Sequence, residues 1–307
     1  MGTEAPPNTA APIQTNGRQV ASVSRIEKAR YQSISMSAPS TLPVRAGHGH
    51  EAAARAASGT IWIVLPTYNE AENLRRIIPA LEAQAAGRPR RILIVDDAST
   101  DSTASVIEEF HKTYDNIVLY RRLGKRGLGS ALREGLTRAL ADPSCDRICT
   151  LDADLSHDPH ELGSLLAAAD GAGFVQGSRY VRGGHISNWP WHRRLMSRTI
   201  NWVCRLMGSH HAENTTNYRV YDRTAATEAI KATASSGFEW IVLASLAIQR
   251  AGISTAEVPI TFRDRQAGKS KLSLSVAWRY SVFLLGALVK SRIRSLVHLP
   301  ARRSAWR

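Results

Sequence analysis

The segment DADLSHDP, Asp152 to Pro159, places two carboxylates, Asp152 and Asp154, one alanine apart at the end of the apolar run RICTL. Like charges that close at a buried strand end repel each other and lose hydration, and a divalent cation resolves the conflict. Two hard oxygen donors with few other protein ligands suit Mg²⁺ or Mn²⁺, which completes its shell with water and phosphate oxygens. The alternative is turn chemistry, because Asp and Asn favour caps and turns through local hydrogen bonds. For Asp101 and Asp158, each taken alone, that alternative is preferred.

Other segments carry chemistry that fits a phosphorylated ligand. GSRY, Gly177 to Tyr180, puts the Arg179 guanidinium where it could meet a phosphate. GKRGLGS, Gly124 to Ser130, is a glycine-rich loop ahead of a helix, without the GKS/GKT ending of a P-loop or the GxGxxG spacing. RQAGKSK, from Arg265 to Lys271, is a glycine-containing loop able to close over a diphosphate and exclude water. Taken alone, it reads as a solvated basic loop.

These residues need a scaffold that brings them to one edge. Ile61 to Leu65, Ile92 to Val95, Ile117 to Tyr120, Arg147 to Leu151 and Phe174 to Gly177 are short apolar runs separated by helical patterns. That alternation predicts a mostly parallel α/β sheet covered on both faces. Leu74, Ile77, Ile78 and Leu81 recur at helical spacing, with Asn69 and Glu72 spaced as a capping box. Further helices are expected over Thr103 to Tyr114, Ser130 to Leu140 and His160 to Ala169. Ligands of such sheets bind outside the carboxyl ends of the strands. PTYNE (Pro66 to Glu70), DDASTD (Asp96 to Asp101) and DADLSHDP follow those ends.

The chain has 307 residues, 43% hydrophobic and 21% charged, enough apolar material for one sizeable domain and too much for wholesale disorder. Its net charge of +14 is unevenly spread. Residues 1–57 carry a net of +3 and residues 263–307 a net of +10, leaving +1 for the stretch between. That distribution is unlike a domain with one face given to a nucleic-acid duplex. A second basic excess runs from Arg179 to Arg205, with six Arg and no acid. The three cysteines lack paired spacing, so neither a disulfide framework nor a zinc site is indicated. Residues 1–57 read as a disordered leader with Val20 to Ala29 as a short helical stretch; no signal-peptide core is present. Val282 to Val289 is too short an apolar run to span a bilayer.

In order and separation, PTYNE, VDDASTD, GLGSA, DADLSHDP and GSRYVRGG resemble the family 2 glycosyltransferases of GT-A fold. Asn188 to Gly208 and Glu257 to Ser273 resemble the dolichol-phosphate and polyprenol-phosphate mannosyltransferases in particular. The similarity covers about residues 58–275, and residues 276–307 remain as an amphipathic basic tail with no transmembrane helix. The resemblance implies metal-dependent, inverting transfer of mannose from GDP-mannose to a polyprenyl phosphate. It places Pro66, Tyr68, Glu70, Val95 and Asp97 at the nucleoside. Asp152, Ala153 and Asp154 fall at the donor diphosphate with its metal, and Arg179, Arg265 and Lys271 at the phosphates. Ser156 stands where some relatives have Gln and others Ser, a candidate outer ligand beside the two aspartates.

Trp191 to Met207 reads as an amphipathic helix, with Leu195, Met196, Thr199, Val203, Leu206 and Met207 near one side. As an acceptor helix it would lie on a membrane surface, with Trp189, Trp191 and Trp202 at headgroup level. Arg194, Ser197 and Asn201 match acceptor-side positions, with Arg193 the alternative to Arg194. Two departures stand out. Relatives usually read D-x-T-(S/A)-G-Y-R where this chain has ENTTNYR, Glu213 to Arg219, and Asn217 can replace that glycine in a left-handed conformation. Ile241 and Leu243 stand where relatives often carry Gln and an acid. Two other readings compete: a UDP-glucose or other nucleotide-sugar enzyme, and a non-catalytic basic module binding lipid or nucleic acid. The expected partners are the two substrates, a membrane surface and a membrane-anchoring protein, without nucleic acid. The expected location is peripheral, on the cytoplasmic face of a membrane.

Overall fold

The computed structural model describes residues 59–84, 87–124, 127–264 and 286. Strand β1 (Thr60–Thr67) sits between β2 (Arg90–Asp96) and β4 (Cys145–Thr150), with β3 (Ile117–Arg121) beyond β2; all are parallel. Side chains alternate faces along a strand, so Ile61, Ile63 and Leu65 enter one core while Trp62 and Val64 enter the other. Burial on both faces explains why the strand reads as an uninterrupted apolar run.

The first core is closed by α1 (Ala71–Gln84), α2 (Thr103–Phe110) and α4 (Leu162–Ala168). Leu74, Ile77, Ile78 and Leu81 of α1 are fully buried there, each contributing about 1.5–3 kcal/mol. The second core is closed by α3 (Leu128–Leu140), α6 (Arg223–Lys231) and α7 (Glu239–Arg250). The expected capping box is replaced by a cross-loop arrangement. Asp101 accepts from Thr103 N at 3.0 Å and from Ala71 N at 3.3 Å, so one carboxylate caps two helix starts. Asn69 instead accepts from Thr100 N at 2.8 Å, and Glu72 is exposed. Asp158 caps the short 3₁₀ turn Pro159–Glu161 that precedes α4, in line with its sequence reading.

The sheet order is β3-β2-β1-β4-β7-β5-β8. Strand β5 (Phe174–Ser178) is followed by β6 (His185–Ser187) and α5 (Trp191–Leu206). Strand β7 (Arg219–Tyr221) then inserts antiparallel between β4 and β5. Because β7 runs opposite to its neighbours, the residues before it share an edge with those after β4 and β5. Beyond β5 the sheet ends in β8 (Thr255–Pro259), and β9 (Thr261–Arg263) pairs with β6. Helix α5 packs Ile200, Val203, Cys204 and Met207 against Val242 and Leu246 of α7. The cysteines are buried and unbridged, and burial pushes the Cys145 thiol up to about 12. No helix among the described residues is long and apolar enough to cross a membrane.

Candidate active site

Strand order reverses between β1 and β4, and the chain leaving those strands borders a cavity of about 200 Å³. Open α/β sheets bind ligands at such a point. Pro66 and Glu70 enter from β1, and Asp152, Ala153 and Asp154 from β4. Arg179 arrives from β5, Ser197 from α5, and Thr215 to Asn217 from the approach to β7.

The two aspartates are held differently. Asp154 is almost fully buried, and its Oδ1 accepts from Ser156 N at 3.1 Å and Ser156 Oγ at 2.5 Å. Leu155 between them takes a left-handed φ of 59° to make that turn. Ser156 thus orients Asp154 in this structure. Asp152 donates its backbone N–H to His157 Nδ1 at 3.2 Å, and its Oδ1 accepts from Asn217 Nδ2 at 3.0 Å. The first bond leaves the His157 proton on Nε2, facing Thr216 Oγ1 at 3.3 Å. Burial pushes the His157 pKa down and favours this neutral form.

Among the described residues, no group of three or more His, Cys, Asp or Glu is placed to hold a metal by itself. The cavity offers a pair of aspartates, an oxygen donor set suited to Mg²⁺ or Mn²⁺ completed by diphosphate and water rather than to a closed zinc site.

Two arginines also line the cavity, each paired with an acid. Arg179 Nε donates to Glu213 Oε2 at 2.6 Å and its Nη2 to Thr215 Oγ1 at 2.6 Å. Burial works against the Glu213 carboxylate, but Arg179 and Thr215 outweigh it and hold its pKa below the usual value. Arg193 lines the same cavity, donates to Asp264 at 2.9 Å and stacks 4.1 Å from the Trp189 ring centre. Arg179 lies 4.9 Å from that centre. Met196, Ile200, Phe238 and Ile241 make the remaining wall apolar.

Not every expected residue reaches the cavity. Arg194 is exposed and donates to Ile186 O; its neighbour Arg193 is the one that lines it. Asn201 is buried behind the wall, accepting from Asn214 N at 2.8 Å. Val95 packs beneath α3, and Tyr68 is half-buried after β1. Asp97 pairs with Arg122 at 2.9 Å and accepts from Gly127 N at 3.0 Å. It thereby anchors the glycine-rich loop, which turns through Gly127 at φ 94° into α3. Arg265 and Lys271, Val20 to Ala29 and, apart from Gly286, Val282 to Val289 lie outside the described residues.

Two expectations are corrected. Trp189 was placed at headgroup level, but it is only 8% exposed and sits between Arg179 and Arg193. Leu195 and Leu206 were grouped on one side of the helix with Val203 and Met207, but they are exposed while Val203 and Met207 are buried, because the α7 contact is made one step around the helix. Glu213, Thr215, His157 and Phe262 were not singled out individually. The only sequence signal for the first two was the ENTTNYR departure.

The glycosyl transferase family 2 pattern matches residues 62–232. The polyprenol monophosphomannose synthase of Mycolicibacterium smegmatis is 38% identical over 215 residues, covering 69% of this chain and 80% of that protein. The undecaprenyl-phosphate mannosyltransferase of Micrococcus luteus is 36% identical over 68% of this chain and 86% of its own length. The dolichol-phosphate mannosyltransferase of Pyrococcus furiosus is 31% identical over 71% of this chain, which spans 60% of that longer protein. Among solved structures, glucosyl-3-phosphoglycerate synthase from Mycobacterium tuberculosis, crystallised with Mn²⁺, UDP-glucose and phosphoglyceric acid, superposes with a TM-score of 0.58. It is 18% identical over 80% of this chain and 86% of that one, a likeness of fold alone. The architecture is the GT-A fold that the strand-end motifs led us to expect, and the chain belongs to glycosyl transferase family 2.

Proposed function

We propose that the protein transfers mannose from GDP-mannose to a polyprenyl phosphate of dolichyl type, inverting the anomeric centre, with Mg²⁺ or Mn²⁺ at Asp152 and Asp154. The observation that carries this reading is one cavity lined by the aspartate pair Asp152 and Asp154 together with Arg179 and Arg193. Two phosphate-bearing substrates need both a cation site and guanidinium groups. The names of the three relatives supply the sugar and the acceptor class.

A bound divalent cation would neutralise the charge that develops on the departing diphosphate. The remaining work falls to the chain. A phosphate monoester has its second pKa near 6, so the acceptor is already an oxyanion at neutral pH and no strong general base is required. Arg179, held rigid by Glu213 and Thr215, meets the donor phosphates, and Arg193, held by Asp264 and Trp189, orients that oxyanion for in-line attack. The apolar wall of Met196, Ile200, Phe238 and Ile241 accommodates the first isoprene unit and excludes water.

The outer face of α5 is the membrane side of the reading. Trp191, Leu195, Trp202 and Leu206 are 75%, 56%, 59% and 36% exposed. Their spacing aligns them along one ridge, flanked by exposed Arg194, Arg198 and Arg205. The inner face of the same helix lines the cavity, so a lipid leaving the bilayer would have a short path to Arg193. A membrane-anchoring partner and placement on the cytoplasmic face belong to this proposal.

A donor panel tests it: radiolabelled GDP-mannose, UDP-glucose and UDP-N-acetylglucosamine, each with a polyprenyl phosphate and Mg²⁺ or Mn²⁺. Label entering the lipid extract from GDP-mannose alone is expected. Transfer only from a UDP-sugar would overturn the donor, and no lipid product from any donor would overturn the acceptor.

A further inference from the structure

Asn217 occupies the position of a glycine in the resembling motif, and its backbone gives no reason for asparagine. It is absent from the residues with positive φ, contrary to the left-handed conformation considered for it. What the residue does is made with its side chain. Nδ2 donates to Asp152 Oδ1 at 3.0 Å, across 65 positions of sequence. The Asn217 backbone carbonyl accepts from Thr150 Oγ1 at 2.8 Å, so the amide is fastened to β4 itself, two residues before the carboxylate it meets.

The amide orientation follows from chemistry. Its Oδ1 has no hydrogen-bond partner among the described residues, and turning the amide over would set two oxygens face to face at Asp152. At 2% exposure, Asn217 also cannot exchange the Asp152 bond freely for water. The next residue back strengthens the arrangement, because Thr216 faces the His157 ring that accepts the Asp152 backbone N–H. One short segment therefore grips Asp152 through both its main chain and its side chain, whereas Asp154 is oriented by its own neighbour Ser156.

We propose that Asn217 is a positioning residue that presets the Asp152 carboxylate for the divalent cation. The inference rests on the cation reading above and deepens it: the glycine of the motif is replaced by a side chain that orients a metal ligand. Groups that orient a metal's ligands typically change metal affinity by about 10- to 100-fold when removed. An exposed or unrelated asparagine would change nothing.

The test is Mn²⁺ binding to the full chain without nucleotide, read by the electron paramagnetic resonance of free Mn²⁺, with the Mn²⁺-induced rise in melting temperature as a second readout. Wild type, Asn217→Leu, Asn217→Ala and Asn217→Gly are compared, with Asp154→Ala as the baseline for a lost site. Leu keeps most of the volume and removes the donor; Ala and Gly carry the comparison where Leu fails to fold. We expect Kd for Mn²⁺ to rise about tenfold in the folded variants and the Mn²⁺-induced stabilisation to shrink accordingly. A purely structural role would lower the melting temperature equally with and without Mn²⁺ and leave Kd unchanged, which overturns the inference while the cation reading stands. A wild type that binds Mn²⁺ no better than Asp154→Ala overturns the cation reading and this inference with it.

Discussion

Arg179 donates its Nε to Glu213 at 2.6 Å, and both side chains are buried. Residues 34 positions apart thus form an ion pair within the cavity wall. Breaking a buried pair leaves an uncompensated charge and costs about 3–5 kcal/mol. Glu213→Ala is expected to destabilise the protein by that amount in urea denaturation. The pH dependence follows from the sign of the shift. Glu213 has a folded pKa below its unfolded value of about 4.3. Its contribution is present above that value and is lost as pH falls through the folded pKa. The stability gap between wild type and Glu213→Gln should accordingly be constant near neutrality and close only below about pH 4. A gap that closes between pH 6 and 8 would implicate another group.

Asp154 carries no replaceable function in the proposed chemistry. Asp154→Asn is expected to lower turnover by about 10²–10³-fold, the range for loss of an electrostatic stabiliser at a developing charge, with the fold unchanged by circular dichroism. EDTA should abolish wild-type activity, and added Mn²⁺ or Mg²⁺ should restore it. Full activity in EDTA would remove the cation from the mechanism.

Arg193 and Arg194 are adjacent in sequence but differ in environment, since only Arg193 lines the cavity. A hydrogen bond to a charged group is worth about 1.5–3 kcal/mol. Arg193→Ala is expected to reduce kcat/KM for the polyprenyl phosphate by about 10- to 100-fold, and Arg194→Ala to stay within about twofold. Equal effects would show that both serve the membrane surface.

The ridge on α5 is testable apart from catalysis. Trp191→Ala with Trp202→Ala should weaken sedimentation with anionic vesicles by at least about tenfold, given about 1.5–3 kcal/mol for each large apolar side chain buried. Binding of the wild type should fall as salt rises, because Arg194, Arg198 and Arg205 meet the lipid charge. Undiminished vesicle binding by the double variant would move the contact elsewhere on the chain.

Much of this site was legible before the structure. Asp152 and Asp154 declared themselves by an improbable spacing at the end of an apolar run, and Asp101 and Asp158 were correctly read as caps because capping is local. Trp189 was not legible in the same way. An amphipathic tryptophan next to arginines fits an interface by composition, and only the closure of Arg179, Arg193 and Phe262 around it makes it part of the cavity wall.

By itself, the amino-acid sequence determined the alternating strands and helices, the doubly buried central strand, and the strand-end residues Pro66, Glu70, Asp152 and Asp154. These depend on the local period of apolar residues and on the rule that such sheets work at their carboxyl ends. The tertiary structure decided the rest. Strand β7 has three residues, too few to show a period, yet its antiparallel entry between β4 and β5 carries Glu213 to Arg179 and Asn217 to Asp152. Pairing between segments that distant is set by contacts across the whole sheet, and no short-range pattern in the chain encodes it.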